Sequence, residues 1–229
     1  YDTNSQVDSS PLIVDLDGDG SLEIIFGDYA GFIHVLSSNG DPISSEVFPY
    51  DTGDDVWSSP SAADIDLDGL LDFAIASKNK HLYAFDLNGL KFDYLADQYL
   101  IATPSIGNID QDDELEIIIG GNTSFGHIFA VNHDGSDVAG FPVEVNEKIW
   151  EGFALHDFND NGLDDIVIAT DGYDFIGICY DDATLDTLFR ADDNNKFRTS
   201  PSVLKTDSGY VIMAGSEDDS MYGISSSGE

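Results

Sequence analysis

A proline that returns at near-constant spacing constrains this chain more than any other feature. Ser9-Ser10-Pro11, Ser58-Ser59-Pro60, Ala102-Thr103-Pro104 and Thr199-Ser200-Pro201 place the prolines 49, 44 and 97 residues apart. The last interval spans two units, and Glu151-Gly152-Phe153 takes the equivalent place in the fourth. Self-similarity at such a period marks stacked supersecondary units, each unable to bury its apolar face alone. Five units fill one region, residues 1–229: 9–57, 58–101, 102–150, 151–198 and 199–229, the last incomplete. Residues 1–8 are the tail of a preceding or closing strand, because Tyr1-Asp2-Thr3 through Val7 repeats Tyr50-Asp51-Thr52 through Val56.

Within each unit a short apolar strand leads into an acidic loop and then a solid apolar run: Ile24–Gly27, Phe73–Ala76, Ile117–Gly120, Ile166–Ala169 and Val211–Ala214. These runs lack polar alternation, so both faces of that strand should be buried. Tight turns follow the third strands at Asn39-Gly40, Asn88-Gly89, Asp134-Gly135 and Ser227-Gly228, where Gly supplies positive φ. No segment carries a helical stripe of useful length. The fold expected is all-β, a β-propeller of four-stranded antiparallel blades. Five repeats are present, and a piece cut from a larger ring is the expectation, since about ten fourth-strand residues are wanting between Glu229 and Tyr1.

The loops after the first strands place oxygen side chains at positions 1, 3, 5 and 9. The first has Asp15, Asp17, Asp19 and Glu23, the second Asp64, Asp66, Asp68 and Asp72. Asn108, Asp110, Asp112 and Glu116 form the third, and Asp157, Asn159, Asn161 and Asp165 the fourth. Alternate spacing turns the side chains into one pocket. Backbone carbonyls at position 7 (Ser21, Leu70, Glu114, Leu163) add further oxygens, and Gly at position 6 permits the bend. Hard oxygen donors in this number suit Ca²⁺ better than Mg²⁺, which keeps more of its water. An EF-hand is excluded, because position 12 is Phe26, Ile75, Ile119 or Ile168 instead of a bidentate Glu. The third loop has Asp113 where Gly belongs and the fourth has only two ligand carboxylates, so weaker binding is expected in both. The fifth copy, Lys205–Tyr210, is shorter and has Lys205 at the first-ligand position, so it should bind none. Up to four structural Ca²⁺ ions are expected.

Charge agrees with this assignment. The chain has 45 Asp+Glu against 8 Lys+Arg, a formal net charge of −37. Such a surface repels the phosphates of nucleic acid and the anionic face of a membrane, so neither nucleic-acid binding nor direct membrane insertion is expected. With 41% hydrophobic and 11% aromatic residues the chain still has material for a core, so this charge does not mean disorder. The single Cys179, in an apolar run, permits no intrachain disulfide and is expected to be a buried small hydrophobe. Carboxylate loops that use calcium as their cross-link fit an extracellular or cell-surface location, where free calcium is plentiful.

The unit, an Asp-x-Asp-x-Asp-Gly-x-x-Asp/Glu loop followed by an apolar strand, resembles the FG-GAP (VCBS-like) repeats of integrin α-subunit-type propellers and microbial surface proteins. All five units fit. The resemblance implies structural calcium in the four loops named above and a ring of about seven blades.

Three residues before each repeated Pro, or before Phe153, the blade-to-blade connections carry Asp8, Trp57, Ile101, Trp150 and Arg198. Blade geometry puts these on the rim opposite the acidic loops, around the channel mouth. Both Trp residues of the chain fall there, as do Lys78, Lys80, Lys148, Lys196 and Arg198. Trp57, Trp150 and Arg198 are therefore the candidate partner-binding residues, for a glycan or a protein, with packing between blades as the competing role for the two indoles. The five His residues pair with no Ser or Cys in a nucleophile arrangement, so a non-enzymatic binding, adhesion or scaffold module is expected. The alternative is a propeller lyase or hydrolase with carboxylates assembled from several blades. Asn122-Thr123-Ser124 forms a sequon in an expected exposed hairpin loop.

Overall fold

In the computed structural model every regular element among the described residues (1–43, 46–172, 174–181, 184–192, 196–207 and 209–225) is a strand. None is a helix long and apolar enough to cross a membrane. Blade one contains β1 (Leu12–Val14), β2 (Glu23–Gly27), β3 (Phe32–Ser37) and β4 (Tyr50–Asp51). Blade two has β5 (Ser61–Ala63), β6 (Asp72–Ala76), β7 (His81–Asp86) and β8 (Gly89–Leu95). In blade three come β9 (Ser105–Gly107), β10 (Glu116–Gly120), β11 (His127–Val131) and β12 (Val143–Glu144). Blade four follows with β13 (Ala154–His156), β14 (Asp165–Ala169), β15 (Asp174–Asp181) and β16 (Thr184–Asp192), and blade five with β17 (Ser202–Thr206), β18 (Gly209–Gly215) and β19 (Met221–Ser225). Each sheet is an antiparallel meander in sequence order, four-stranded in blades one to four and three-stranded in the fifth. Cys179 lies in β15, but its side-chain burial falls outside what the structure describes, as does the Ser227-Gly228 turn.

The second strands are sandwiched as their sequences require: all five residues of β6, β10 and β14 are buried. Three apolar clusters hold neighbouring blades together. Phe48, Val56, Phe73 and Phe85 join blade one to blade two, Ile118, Ile128, Ile149 and Ile168 belong to the cluster that spans blades two to four, and Val167, Phe197 and Ile212 join blade four to blade five. Among the described residues no cluster joins blade five back to blade one, and the ring is open. Ile13 and Leu22 on blade one, and Leu204 and Met221 on blade five, are accordingly exposed. Residues 1–8 lie outside the five sheets and run against blade one, where Tyr29 N–H donates to the Gln6 carbonyl at 2.9 Å and the Tyr1 hydroxyl meets His34 Nδ1 at 3.0 Å.

Hydroxyls stitch neighbouring blades near the axis. Ser59 Oγ accepts from Ser10 N–H at 2.9 Å, Ser61 Oγ donates to the Pro104 carbonyl at 2.6 Å, and Ser105 Oγ accepts from Phe153 N–H at 3.0 Å. Farther out, the end of β10 must pass beneath the next connection. A Cβ at Gly120 would lie 2.2 Å from Ile149 Cγ2, inside any real contact distance. Gly120→Ala is therefore expected to cost about 1–3 kcal/mol by overpacking, read as a lowered urea midpoint at unchanged slope. A variant as stable as the parent would show that this contact is slack.

Candidate metal loops and the opposite mouth

Each acidic loop hangs between an inner strand and the buried strand beside it, pinned at both ends by sequence. Position 2 is apolar and buried in the first three loops (Leu16, Ile65, Ile109), and position 9 is a buried acid in all four (Glu23, Asp72, Glu116, Asp165). That acid folds the loop on itself. Glu23 accepts from Leu16 N–H at 2.9 Å, Glu116 from Ile109 N–H at 2.8 Å, and Asp165 from Phe158 N–H at 2.8 Å. Left-handed backbone appears where the chain reverses, at Gly20, Gly69 and Gly162 in position 6. In the third loop Asp113 occupies that position and has no positive φ, so this loop turns by a different path.

The loops bring together the carboxylates that the spacing pairs. Asp15, Asp17 and Asp19 each offer an oxygen within 4.8 Å of the others, and so do Asp64, Asp66 and Asp68, and Asp110, Asp112 and Glu116. In the first two loops the Gly N–H at position 6 occupies one oxygen of the position-1 Asp: Gly20 to Asp15 Oδ2 at 2.9 Å and Gly69 to Asp64 Oδ2 at 3.0 Å. The other oxygen, Oδ1 of Asp15 or Asp64, is buried and has no hydrogen-bond partner, and the same holds for Asn108 Oδ1, Asp66 Oδ1 and Glu116 Oε1. Buried acceptors without donors are costly. Set within loops whose carboxylate oxygens lie within 4.8 Å of one another, these acceptors fit a hard cation in each loop. Burial, and then the nearby Asp110 and Asp112, pushes the Glu116 carboxyl up to about 8, as crowded carboxylates without a counter-charge require. The fourth loop differs: both oxygens of Asp157 are engaged, by Asn161 and Gly162 N–H, and Asn159 Oδ1 accepts from Asn161 N–H. Leu163 N–H bonds Asn161 Oδ1 at 2.8 Å, as Ser21 N–H bonds Asp19 Oδ1 in the first loop, so what sets the fourth loop apart is that Asp157 has both oxygens engaged. In place of the fifth loop, β17 and β18 close as a tight hairpin pairing Thr206 with Gly209.

The second loop contains a group that the spacing does not reveal. Lys91 Nζ donates to Asp66 Oδ2 at 2.7 Å and to Asp72 Oδ1 and Oδ2 at 2.8 and 3.0 Å. Hydrogen bonding to this ammonium holds the Asp66 carboxyl below the usual range, whereas burial holds Asp72 above it.

The loops sit side by side on one rim, where Leu115 N–H bonds the Ile65 carbonyl at 3.0 Å and Asp164 N–H the Asn108 carbonyl at 2.7 Å. On the other rim the connections converge. Asp8, Trp57, Ile101 and Trp150, from four successive connections, line one cavity of about 290 Å³ together with Ser10, Ser59, Thr103 and Glu151. Both indoles are half-buried, with their Nε1–H groups lacking an acceptor. Each is also flanked by a cation: Lys78 Nζ lies 4.1 Å from the Trp57 ring centroid and Arg198 Cζ 4.9 Å from that of Trp150. Lys78 is tied to Asp55 at 3.0 Å, and Arg198 to Asp171 and Glu217, both at 2.9 Å. Arg198 thus reaches the mouth through Trp150 and does not line it. The spacing argument found the four connection residues but not Glu151, whose carboxyl is pushed up by burial, nor Tyr29, whose ring lies 5.3 Å from that of Trp57 and whose hydroxyl bonds Asp8.

Residues 15–75, which cover the first two acidic loops, match the model of the FG-GAP-like repeat family. No curated sequence matches the chain. Among solved structures it is similar to BBS1N in a complex with ARL6DN, with a TM-score of 0.69 at 14% identity, over 98% of this chain and 67% of that one. The C-terminal domain of Pseudomonas aeruginosa PilY1 gives 0.65 at 16%, over 91% and 59%, and BamB from Moraxella catarrhalis 0.65 at 13%, over 100% and 61%. The chain thus spans about three fifths to two thirds of the length of these structures. These likenesses bear out the expected resemblance to FG-GAP-repeat β-propellers and the all-β propeller fold, here as an open set of five blades.

Proposed function

We propose that this FG-GAP-like β-propeller is a calcium-stabilised binding or scaffold module that works outside the cell and takes its partner, a protein or a glycan, at the mouth opposite the acidic loops. The observation that carries the reading is the convergence of four connections on one cavity, with Trp57 and Trp150 in its wall. Propeller connections can vary without disturbing the strands beneath, which makes this rim the place for specificity. Calcium would be held in the first loop by Asp15, Asp17, Asp19 and Glu23, and in the third by Asn108, Asp110, Asp112 and Glu116. The second loop, where Lys91 engages Asp66 and Asp72, and the fourth, where both Asp157 oxygens are engaged and two ligands are amides, would hold it more weakly, which ranks the third loop above the second despite its Asp113. Its chemistry is structural: a divalent charge in place of carboxylate repulsion, tying each inner strand to the strand beside it. Protein partners are in keeping with the fold, since BBS1N is bound to ARL6DN and another similar structure belongs to a mitotic checkpoint complex. Asp8 and Glu151 from different connections meet in the same cavity, which favours glycan hydrolysis or lysis as the second reading.

Immobilised glycans and a displayed peptide library, probed at constant free calcium, test both. The parent should retain a defined subset without releasing product. Trp57→Ala combined with Trp150→Ala should lower that retention at least tenfold while circular dichroism stays β-type; the paired Phe substitutions should restore part of it. Unchanged retention in the double Ala variant would move the site off this mouth. Product released by the parent and lost in Glu151→Gln would establish the second reading instead.

A further inference from the structure

The outer strands of blades two and four each carry a β-bulge, but only in blade two does the bulge hold a lysine. There the outer strand β8 pairs with β7 in a register that shifts between Ala84 and Phe85: Phe85 faces Leu90, but Ala84 faces Phe92. Lys91 is therefore the extra residue of a β-bulge. Bulges re-aim side chains that regular alternation would send elsewhere. This one sends an ammonium to Asp66 and Asp72, position-3 and position-9 acids of the second loop, with all three nitrogen–oxygen distances between 2.7 and 3.0 Å. The pair is well sheltered: the Asp72 side chain is 2% exposed and that of Lys91 20%. Glu23 and Glu116, the corresponding acids of the first and third loops, have no such partner among the described residues and accept instead from loop N–H groups.

We propose that Lys91 is a tethered counter-ion of the second loop, competing with calcium for Asp66 and Asp72. The loop is then partly charge-compensated without metal and fills only at higher calcium than the first. This rests on the calcium reading above. The argument is electrostatic and steric together. A hard cation seated among Asp64, Asp66 and Asp68 can take Asp66 Oδ1, but both oxygens of the position-9 Asp72 and Asp66 Oδ2 accept from the ammonium, and a divalent ion beside an unmoved ammonium is strongly repelled. Ligation by Asp72 therefore requires breaking a partly buried ion pair, which the first and third loops do not demand. The partnerless Oδ1 atoms of Asp64 and Asp66 show that the lysine satisfies only part of the donor set, so the loop keeps a cation site that the tether weakens.

Calcium titration by calorimetry and thermal melting in chelator and in excess calcium, on the parent, Lys91→Met and Lys91→Arg, test the proposal. Lys91→Met should add one site to the tighter class, with affinity at the second loop rising roughly tenfold, the scale of one ion pair no longer broken. In chelator it should melt below the parent, because Asp64, Asp66, Asp68 and Asp72 then face one another uncompensated. Its gain on adding calcium should exceed the parent's, and Lys91→Arg should behave like the parent. If calcium binds the parent and Lys91→Met in equal number and strength, the competition is overturned while the calcium reading stands. Binding to neither overturns both, and a drop in melting in chelator would then leave Lys91 as a metal-free brace. Should Lys91→Met not fold, Lys91→Gln on Asp66→Asn, which removes an acid with the base, answers through its calcium count: no gain over Asp66→Asn alone overturns the proposal.

Discussion

Chelation of calcium at low salt is expected to lower the melting temperature of this protein by roughly 10–20 °C. A ligand that binds only the folded state at a hundred times its dissociation constant adds about 2.7 kcal/mol per site, and in a domain of this size each kcal/mol moves the midpoint by roughly 2–4 °C. The first and third loops alone then account for the shift. Their partnerless oxygens, Asp15 Oδ1, Asn108 Oδ1 and Glu116 Oε1, have nothing else to bind them. Asp17→Ala should abolish about half of the calcium-dependent gain. Asn159→Ala should change it little, because Asn159 brings no charge and both oxygens of its loop's Asp157 are already engaged by Asn161 and Gly162 N–H. Differential scanning calorimetry with and without chelator reads all three. A melting temperature indifferent to chelation would remove calcium from the account.

Blades were legible because the repeat writes the same physical demand five times. A run such as Ile117–Gly120, with no polar residue, has only one place to go in a layered β-fold, and β10 is buried along its whole length. The acids were equally legible, since spacing within a loop fixes which side chains meet; Asp15, Asp17 and Asp19 converge as their alternation demands. The mouth was read through period: four residues at the same place in four units line one cavity. What stayed hidden depends on register. Lys91 reaches the second loop through one extra residue in β8, and no local pattern around Gly89–Leu95 distinguishes a bulge from regular alternation. Arg198 was placed at the correct connection, but its acidic neighbours Asp171 and Glu217 lie on other segments, and they hold it behind Trp150. Pairings between distant acids and bases are set by tertiary structure, so a chain with many acids offers each of its few cations several equivalent partners on paper.

Phe85→Ala is expected to be the most damaging single substitution in the first two blades, at about 3–5 kcal/mol. Phe85 is fully buried in β7, its ring stacked at 5.2 Å and 19° on Phe73, with Phe48 at 5.5 Å and Tyr50 at 5.0 Å from the neighbouring blade. Removing it deletes packing on both sides of one boundary. Blades one and two share the cluster of Leu16, Ile25, Phe48, Phe73 and Phe85, separate from the core of blades two to four. The cavity has little means to collapse, because hydrogen-bonded ladders on both sides fix the facing strands. Phe125→Ala supplies the control: that ring is 68% exposed, and its loss should fall within about 0.5 kcal/mol. Urea unfolding followed by tyrosine and tryptophan fluorescence separates the two. A cost below about 1 kcal/mol for Phe85→Ala would mean that the boundary between the first two blades is not held by this cluster. A large cost with an altered slope would mean that blade one detaches before the rest unfolds, the remaining cluster around Phe48 and Phe73, the hydroxyl stitch from Ser59 and the rim hydrogen bonds being insufficient to keep it docked.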